Sequence, residues 1–279
     1  MHAFVKLEAT GNDFVVVDEA SPAPSLSLGA RRRLCDRHTG VGADGVLTVL
    51  GRDGRFRMHI TNPDGSVPEM CGNGLRCVAR HLAHTGRIPT ETPVVIDTDA
   101  GPRTVVVAAA LDAVTVDMGR ASFDAARPFP RALSRSLLHG FSRATTVSMG
   151  NPHVVLEVDE LPASEEAARI GRAIELDAAT FPERVNVEWV VVGDNGVDVL
   201  VWERGAGLTR ACGTGACGVV AVLVLHGVVP PGTTTVRLPG GPLRITVADV
   251  QQPIWMAGPV RRVFAGVATD DGIGQGAEP

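Results

Sequence analysis

The sequence predicts an α+β protein built from two similar domains, each with strands wrapped around one central helix. Three observations predict it. A Cys-Gly-x-Gly step occurs twice, as Cys71-Gly72-Asn73-Gly74 and Cys212-Gly213-Thr214-Gly215, with the cysteines 141 residues apart. Upstream features recur at nearly equal offsets: Asn12 of Gly11-Asn12 lies 59 residues before Cys71, Asn151 of Gly150-Asn151 lies 61 before Cys212, and Asn62 and Glu203 each stand nine before their cysteine. Short Val-rich runs, finally, outnumber helical patterns in both halves. A repeat this long reads as a duplicated domain rather than a solenoid.

The elements follow in order. Phe4-Val5-Lys6-Leu7 alternates as a strand with Lys6 facing solvent. Further strands are read at 14–17, 94–96, 104–107 and 114–116, then at 154–158, 187–192, 197–201 and 236–238, all bounded by Gly, Asp or Pro. A helix over 27–38 stops at Gly40, and one over 164–174 opens on a Ser164 cap with two acids in its first turn. Each cysteine motif starts another helix. The first covers 72–84 and closes at Gly86; the second covers 213–225 and is apolar enough to be buried all round. Residues 1–118 form the first domain, completed by a strand near 260–267, and residues 119–259 the second. The Pro- and Arg-rich stretch 119–141 is the join, and 268–279 reads as a disordered tail.

Composition excludes several classes of function. With 279 residues and 44% apolar content, the chain can bury a sizeable core. A net charge of −5 and 4% aromatic residues offer no phosphate-binding face or stacking platform, so nucleic acid is not expected as a partner. The N-terminal stretch lacks a signal-peptide pattern, and the longest apolar run, 218–229, is too short to cross a membrane and contains His226. A cytoplasmic protein without a membrane partner is expected. There Cys35, Cys71, Cys77, Cys212 and Cys217 are thiols, and their odd number agrees. No zinc spacing occurs; His81 and His84, three apart, read as the polar side of a helix, and no metal is expected. Among 26 basic residues only Lys6 is a lysine, so a pyridoxal phosphate Schiff base could form nowhere else. Nucleotide-binding glycine motifs are missing too, and no cofactor is expected.

A helix start carries N–H groups without internal partners and partial positive charge. A cysteine there has its thiolate stabilised, and the adjacent N–H groups can hold a carboxylate, which the flanking glycines allow to approach. Cys77 and Cys217, further into the helices, are rotated away and read with Cys35 as core. If the two helix starts met at one substrate, its α-carbon would lie between two sulfurs, one removing the α-proton and the other protonating the opposite face. Such a pair would share one proton and titrate as a unit.

Six segments carry a resemblance: Ala9-Thr10-Gly11-Asn12-Asp13-Phe14, Asn62-Pro63-Asp64-Gly65-Ser66, Met70 to Cys77, Met149-Gly150-Asn151-Pro152-His153, Glu183-Arg184-Val185-Asn186, and Glu203 through Gly215. Together they closely resemble the diaminopimelate epimerase family, in the family's order across most of the chain. The resemblance implies two pseudo-symmetric α/β domains and cofactor-independent epimerisation of LL-2,6-diaminopimelate to the meso isomer, on the way to lysine and peptidoglycan. It implies Cys71 and Cys212 as the acid/base pair, tuned by His153 and Glu203. The N–H groups of Gly72, Asn73, Gly213 and Thr214 would hold the reacting carboxylate. Asn62, Asn151, Asn186 and Arg204 would bind the distal carboxylate and Glu203 the distal ammonium, with Asn12 lining the same cleft. A small amino-acid substrate is the expected partner, and a homodimer is left open. Gly45, Thr214 and Leu208 stand where the family often has Gln, Ser and Glu.

Other readings stay open. A proline or hydroxyproline racemase also uses paired cysteines but has no second charged end to bind, against Arg204, Glu203 and the asparagines. A thiol redox protein would want a nearby resolving cysteine. A silent amino-acid binding protein would need the glycines and not the thiols.

Overall fold

The computed structural model describes residues 2–19, 21, 23–51, 54–68, 70–123, 141–269 and 272–274. The expected join at 119–141 therefore lies largely outside the described residues. Two compact units divide the chain: Met1–Val116 with Gly258–Pro279, and Asp117–Ala257.

The first unit begins with a hairpin of β1 (His2–Ala9) and β2 (Asn12–Glu19), paired antiparallel. Its two-residue turn has Thr10 at φ 53° and Gly11 at φ 85°, the backbone that matches the twist of adjoining strands. Helix α1 (Leu28–Cys35) carries the chain over to β3 (Gly45–Leu50), parallel to β2, and β4 (Phe56–Thr61) returns antiparallel. Helix α2 (Gly72–His84) follows, then β5 (Val94–Thr98) parallel to β4, with β6 (Gly101–Val107) and β7 (Ala113–Asp117) continuing antiparallel. Leu75, Cys77, Val78, Ala79 and Leu82 of α2 are buried.

The second unit repeats this path. A hairpin of β8 (Phe141–Ser148) and β9 (Pro152–Val158) leads through α3 (Ser164–Glu175) to β10 (Asn186–Gly193), parallel to β9, and β11 (Gly196–Glu203) returns antiparallel. After a short β12 (Gly207–Thr209), α4 (Gly213–Leu225) connects to β13 (Gly232–Leu238), parallel to β11, with β14 (Gly241–Val247) and β15 (Trp255–Pro259) antiparallel beyond it. The order of parallel and antiparallel steps is the same in both units, with β12 the insertion. That is the physical form of the sequence repeat. Helix α4 is buried from Gly213 to Leu223 except at Thr214.

The chain then returns to the first unit as β16 (Arg261–Thr269), antiparallel to β1, and β17 (Gly272–Gly274) pairs with β16. The expected tail therefore starts in strand: the open edge of β16 supplies backbone partners to 272–274 despite their polar, Gly-rich surroundings. No described helix is long and apolar enough to cross a membrane.

Other expectations are corrected locally. Helix α1 stops at Cys35, short of 38, because Asp36 accepts the N–H groups of His38 and Thr39 at 2.8 and 2.7 Å and so offers the backbone a turn in place of the next helical turn. The N-cap of α3 is Ala163, and Ser164 is already helical. His81 does not face solvent: it is buried and bonded to Asp18. Lys6 is not the solvent-facing lysine of an alternating strand either. It shares the core face of β1 with Phe4, is 5% exposed, and meets the Asp13 carboxylate and the Gly42 carbonyl.

That ion pair carries a pH prediction. Burial pushes the Asp13 carboxyl up, but hydrogen bonds from Arg37 and Lys6 and the charges of both outweigh it and hold its pKa at about 2, against 3.8. A carboxyl depressed in the folded state stabilises above its unfolded pKa, and the contribution disappears as pH falls through the folded value. We expect Asp13→Asn to destabilise by about 2 kcal/mol at pH 6, with the difference from the native chain closing between about pH 4 and 2. Urea titrations of both proteins at a series of pH values measure this; a difference that stays constant down to pH 2 rejects it.

Candidate active site

Each Cys-Gly-x-Gly step turns an extended chain into a helix, and each cysteine is the N-cap. Cys71 (φ −143°, ψ 108°) precedes α2 and Cys212 (φ −122°, ψ 113°) precedes α4. Their Sγ atoms accept the N–H of Gly74 and of Gly215, both at 3.3 Å. The two sites are thus copies in backbone and in capping bond. Gly72 and Asn73 in one helix, and Gly213 and Thr214 in the other, occupy the first two positions, whose N–H groups have no partner within the helix.

Around Cys71, the first unit braces the helix start from the β1–β2 turn. Asn73 is buried and donates to Asn12 Oδ1 at 2.6 Å; Asn12 donates to Asp44 Oδ2 at 3.2 Å. The buried Arg76 donates to Asn73 Oδ1 at 2.6 Å, to Thr10 Oγ1 at 2.9 Å and to the Pro259 carbonyl at 2.9 Å. Asp44 and Arg76 were not singled out from the sequence. Asn62 stands apart in a turn of its own, donating from Nδ2 to Ser66 Oγ at 2.9 Å. At Gly45 a Cβ would come within 3.1 Å of the Thr61 carbonyl.

The second unit gathers more of the expected residues. Thr214 Oγ1 lies 3.3 Å from Cys212 Sγ and receives Asn151 Nδ2 at 3.4 Å. Asn151 Oδ1 is 3.0 Å from His153 Nε2, and His153 Nδ1 is 2.6 Å from Glu188 Oε1. Glu203 hydrogen-bonds the Cys212 thiol and accepts from Thr209 Oγ1 at 2.5 Å. Asn186 is buried with its amide engaged on backbone, donating to the Pro152 carbonyl and accepting the Arg204 N–H, both at 2.9 Å; it braces the loop that carries Arg204. Arg204 is exposed, and its guanidinium donates to the Glu183 carbonyl at 2.8 Å. Buried Glu175 of α3 holds the same loop by accepting Gly205 N–H at 2.9 Å and Trp202 Nε1–H at 2.7 Å.

A helix start favours the thiolate, and at Cys212 that influence is outweighed. Burial pushes the thiol pKa well up, and the Glu203 and Glu188 carboxyls push it further; the Thr214 hydroxyl and the Gly215 N–H only oppose this. Glu203 is itself raised by burial, against the hydrogen bonds from Thr209 and Cys212. Cys212 therefore rests as a thiol. Cys35, Cys77 and Cys217 are buried core thiols, and burial lifts the Cys35 pKa to about 11 and Cys77 further still. Among the described residues no cluster of His, Cys, Asp or Glu has a metal-binding arrangement.

Glu188 and Glu175 were missed from the sequence. The available signal at Glu188 was an acid in the middle of an apolar strand, Val187-Glu188-Trp189-Val190, which only a buried partner explains.

Comparison with solved structures shows which proteins share this fold of two repeated units. It is similar to a phenazine biosynthesis protein of the PhzF family from Bacillus anthracis (TM-score 0.72, 16% identity, 95% of this chain and 97% of that one). It is also similar to a probable proline racemase from Agrobacterium radiobacter (TM-score 0.70, 14% identity, 97% and 94%). A family model described as diaminopimelate epimerase matches residues 4–123 and 145–263. Diaminopimelate epimerases from Acaryochloris marina and from a Synechococcus species are 41% and 42% identical over 287 and 283 residues, spanning 95% and 96% of this chain and 97% and 98% of theirs. The chain belongs to the diaminopimelate epimerase family.

Proposed function

We propose that the protein interconverts LL- and meso-2,6-diaminopimelate by moving a proton between the faces of the α-carbon, with Cys71 and Cys212 as the two acid/base groups. One observation carries the assignment of the pair: both cysteines cap a helix at corresponding points of a duplicated unit, each with a glycine N–H on its sulfur. Family membership supports the substrate.

In this scheme the N–H groups of Gly72, Asn73, Gly213 and Thr214 hold the reacting carboxylate, as unpaired helix-start donors can. Cys212 rests as the thiol and supplies a proton; Cys71 is the base in that direction, and the roles reverse in the other. The α-proton is weakly acidic, so fixed donors aimed at the carboxylate must stabilise the charge that develops. Asn62, Asn151 and Arg204 take the distal carboxylate, Glu203 takes the distal ammonium, Asn12 holds Asn73 in place and Asn186 holds the Arg204 loop. His153 and Glu203 tune Cys212. A cytoplasmic location follows from the need for two reduced thiols, and sedimentation of the purified protein distinguishes a homodimer from a monomer.

The test is incubation with LL-diaminopimelate in heavy water without added pyridoxal phosphate. Solvent deuterium is expected at the inverted carbon of the meso product. Unlabelled product, or a need for the added cofactor, rejects the scheme. L-Proline in the same assay separates the racemase reading, which the fold neighbours alone would allow; turnover of proline in preference to diaminopimelate would establish it.

A further inference from the structure

Glu188 holds no part in the scheme above, yet it is fully buried in strand β10. Its Oε1 lies 2.6 Å from His153 Nδ1, neither side chain has exposed surface, and Glu188 Oε2 has no hydrogen-bond partner among the described residues. A lone carboxylate in such surroundings is strongly disfavoured. A pair that is neutral as a whole, with one hydrogen between Oε1 and Nδ1, avoids that cost. Two arrangements satisfy this: a carboxylate beside an imidazolium, or a carboxyl donating to a neutral ring. In both, Nε2 carries a hydrogen.

That hydrogen decides every contact beyond it. Nε2 stands 3.0 Å from Asn151 Oδ1, which accepts, so the amide is fixed with Nδ2 toward Thr214. Thr214 Oγ1, accepting from Nδ2, directs its own hydrogen to Cys212 Sγ at 3.3 Å. With the amide reversed, Asn151 would take the Thr214 hydrogen and the sulfur would lose it. We propose that Glu188 is a positioning residue: by keeping His153 Nε2 protonated it fixes the Asn151 amide and aims the Thr214 hydroxyl hydrogen at the Cys212 sulfur. When Cys212 gives up its proton, a donor is then already in place for the charge left on sulfur, with no reorientation at the moment of reaction.

The kinetic part of this inference rests on the epimerase reading; its spectroscopic part does not. In the intact protein labelled with ¹⁵N-histidine, the His153 ring should show a hydrogen on Nε2 at neutral pH, and an unprotonated Nε2 overturns the proposal whatever the protein catalyses. Glu188→Gln, which permits either ring tautomer, is expected to lower kcat about tenfold, the usual scale for a group acting through its neighbour, with KM changed less than about threefold. Thr214→Val removes the final hydroxyl and keeps the backbone N–H. If the effect of Glu188 runs through Thr214, the double variant Glu188→Gln/Thr214→Val will be no slower than Thr214→Val alone. Losses that multiply assign Glu188 a separate structural role and overturn the proposal. Should Glu188→Gln fail to fold, the native ring spectrum still decides. Absence of epimerase activity in the native protein would count against the proposed function, and the ring spectrum would still test the placement of the hydrogen.

Discussion

Replacing either Cys71 or Cys212 with Ala is expected to lower kcat for diaminopimelate inversion by about 10³-fold or more, with a far smaller change in KM. The size follows from the chemistry. Each variant keeps its helix-start N–H groups, so carboxylate binding survives, while the proton has lost either its acceptor on one face or its donor on the other. The two variants should nonetheless differ from a dead protein in one respect. Under the proposed two-sulfur scheme the surviving sulfur would still reach the α-carbon from one side, so it could remove the proton from the stereoisomer that presents it and return a solvent deuteron to the same face. Deuterium should therefore enter one isomer slowly without inversion, and a different isomer in each variant. The double variant should lose exchange as well, while its inversion rate is no lower than in the singles, because groups acting as one unit do not contribute separately. Inversion above about a tenth of the native rate in either single variant would mean that water can replace a sulfur, contrary to the size expected of a positioned acid or base.

What was legible in the sequence was what repeats or alternates. The spans 72–84 and 213–225 coincide with α2 and α4 because a Cys cap, a Gly at the helix start and a Gly or a loss of pattern at the end are all local signals. The Val-rich runs mark strand cores, since β-branched residues fit a pleated surface. Cys71 and Cys212 stood out for the same local reason. What was not legible depends on partners far along the chain. Lys6 looks exposed until Asp13 and the Gly42 carbonyl are brought to it. His81 looks like the polar side of a helix until Asp18 arrives from β2. Glu175 and Glu188 gain their meaning from Gly205, Trp202 and His153, between 27 and 35 positions away. The end of α1 was lost to Asp36, where a side chain competes with the helix for the same N–H groups. The helix start's pull toward a thiolate is legible at both cysteines, but at Cys212 burial and two carboxyls, none of them adjacent in sequence, outweigh it.

Gly215→Ala is expected to destabilise the protein by about 3 kcal/mol and to remove most of its activity, whereas Gly74→Ala, the same change in the other copy, is expected to be tolerated far better. From the sequence the two glycines look equivalent, both clearing the approach to a helix start. The packing behind them differs. A Cβ on Gly215 would stand 2.5 Å from Glu188 Oε1, 3.2 Å from its carboxyl carbon and 3.3 Å from Cys212 Cβ. Glu188 is enclosed on β10 and tied to His153, so it cannot step aside without breaking that buried pair. A Cβ on Gly74 would meet Leu47 Cδ2 at 3.0 Å and Cys71 Sγ at 3.4 Å, and the leucine methyl is the far end of a flexible side chain that can turn away. Thermal or urea unfolding of the two variants separates these cases. A third variant identifies the cause: if the clash with Glu188 is what destabilises Gly215→Ala, then adding Glu188→Ala gives the new methyl room, and the double variant loses less stability than the two single losses added together. Equal destabilisation at positions 74 and 215, or simple additivity in the double variant, would place the effect in the helix start itself and free Glu188 of any part in it.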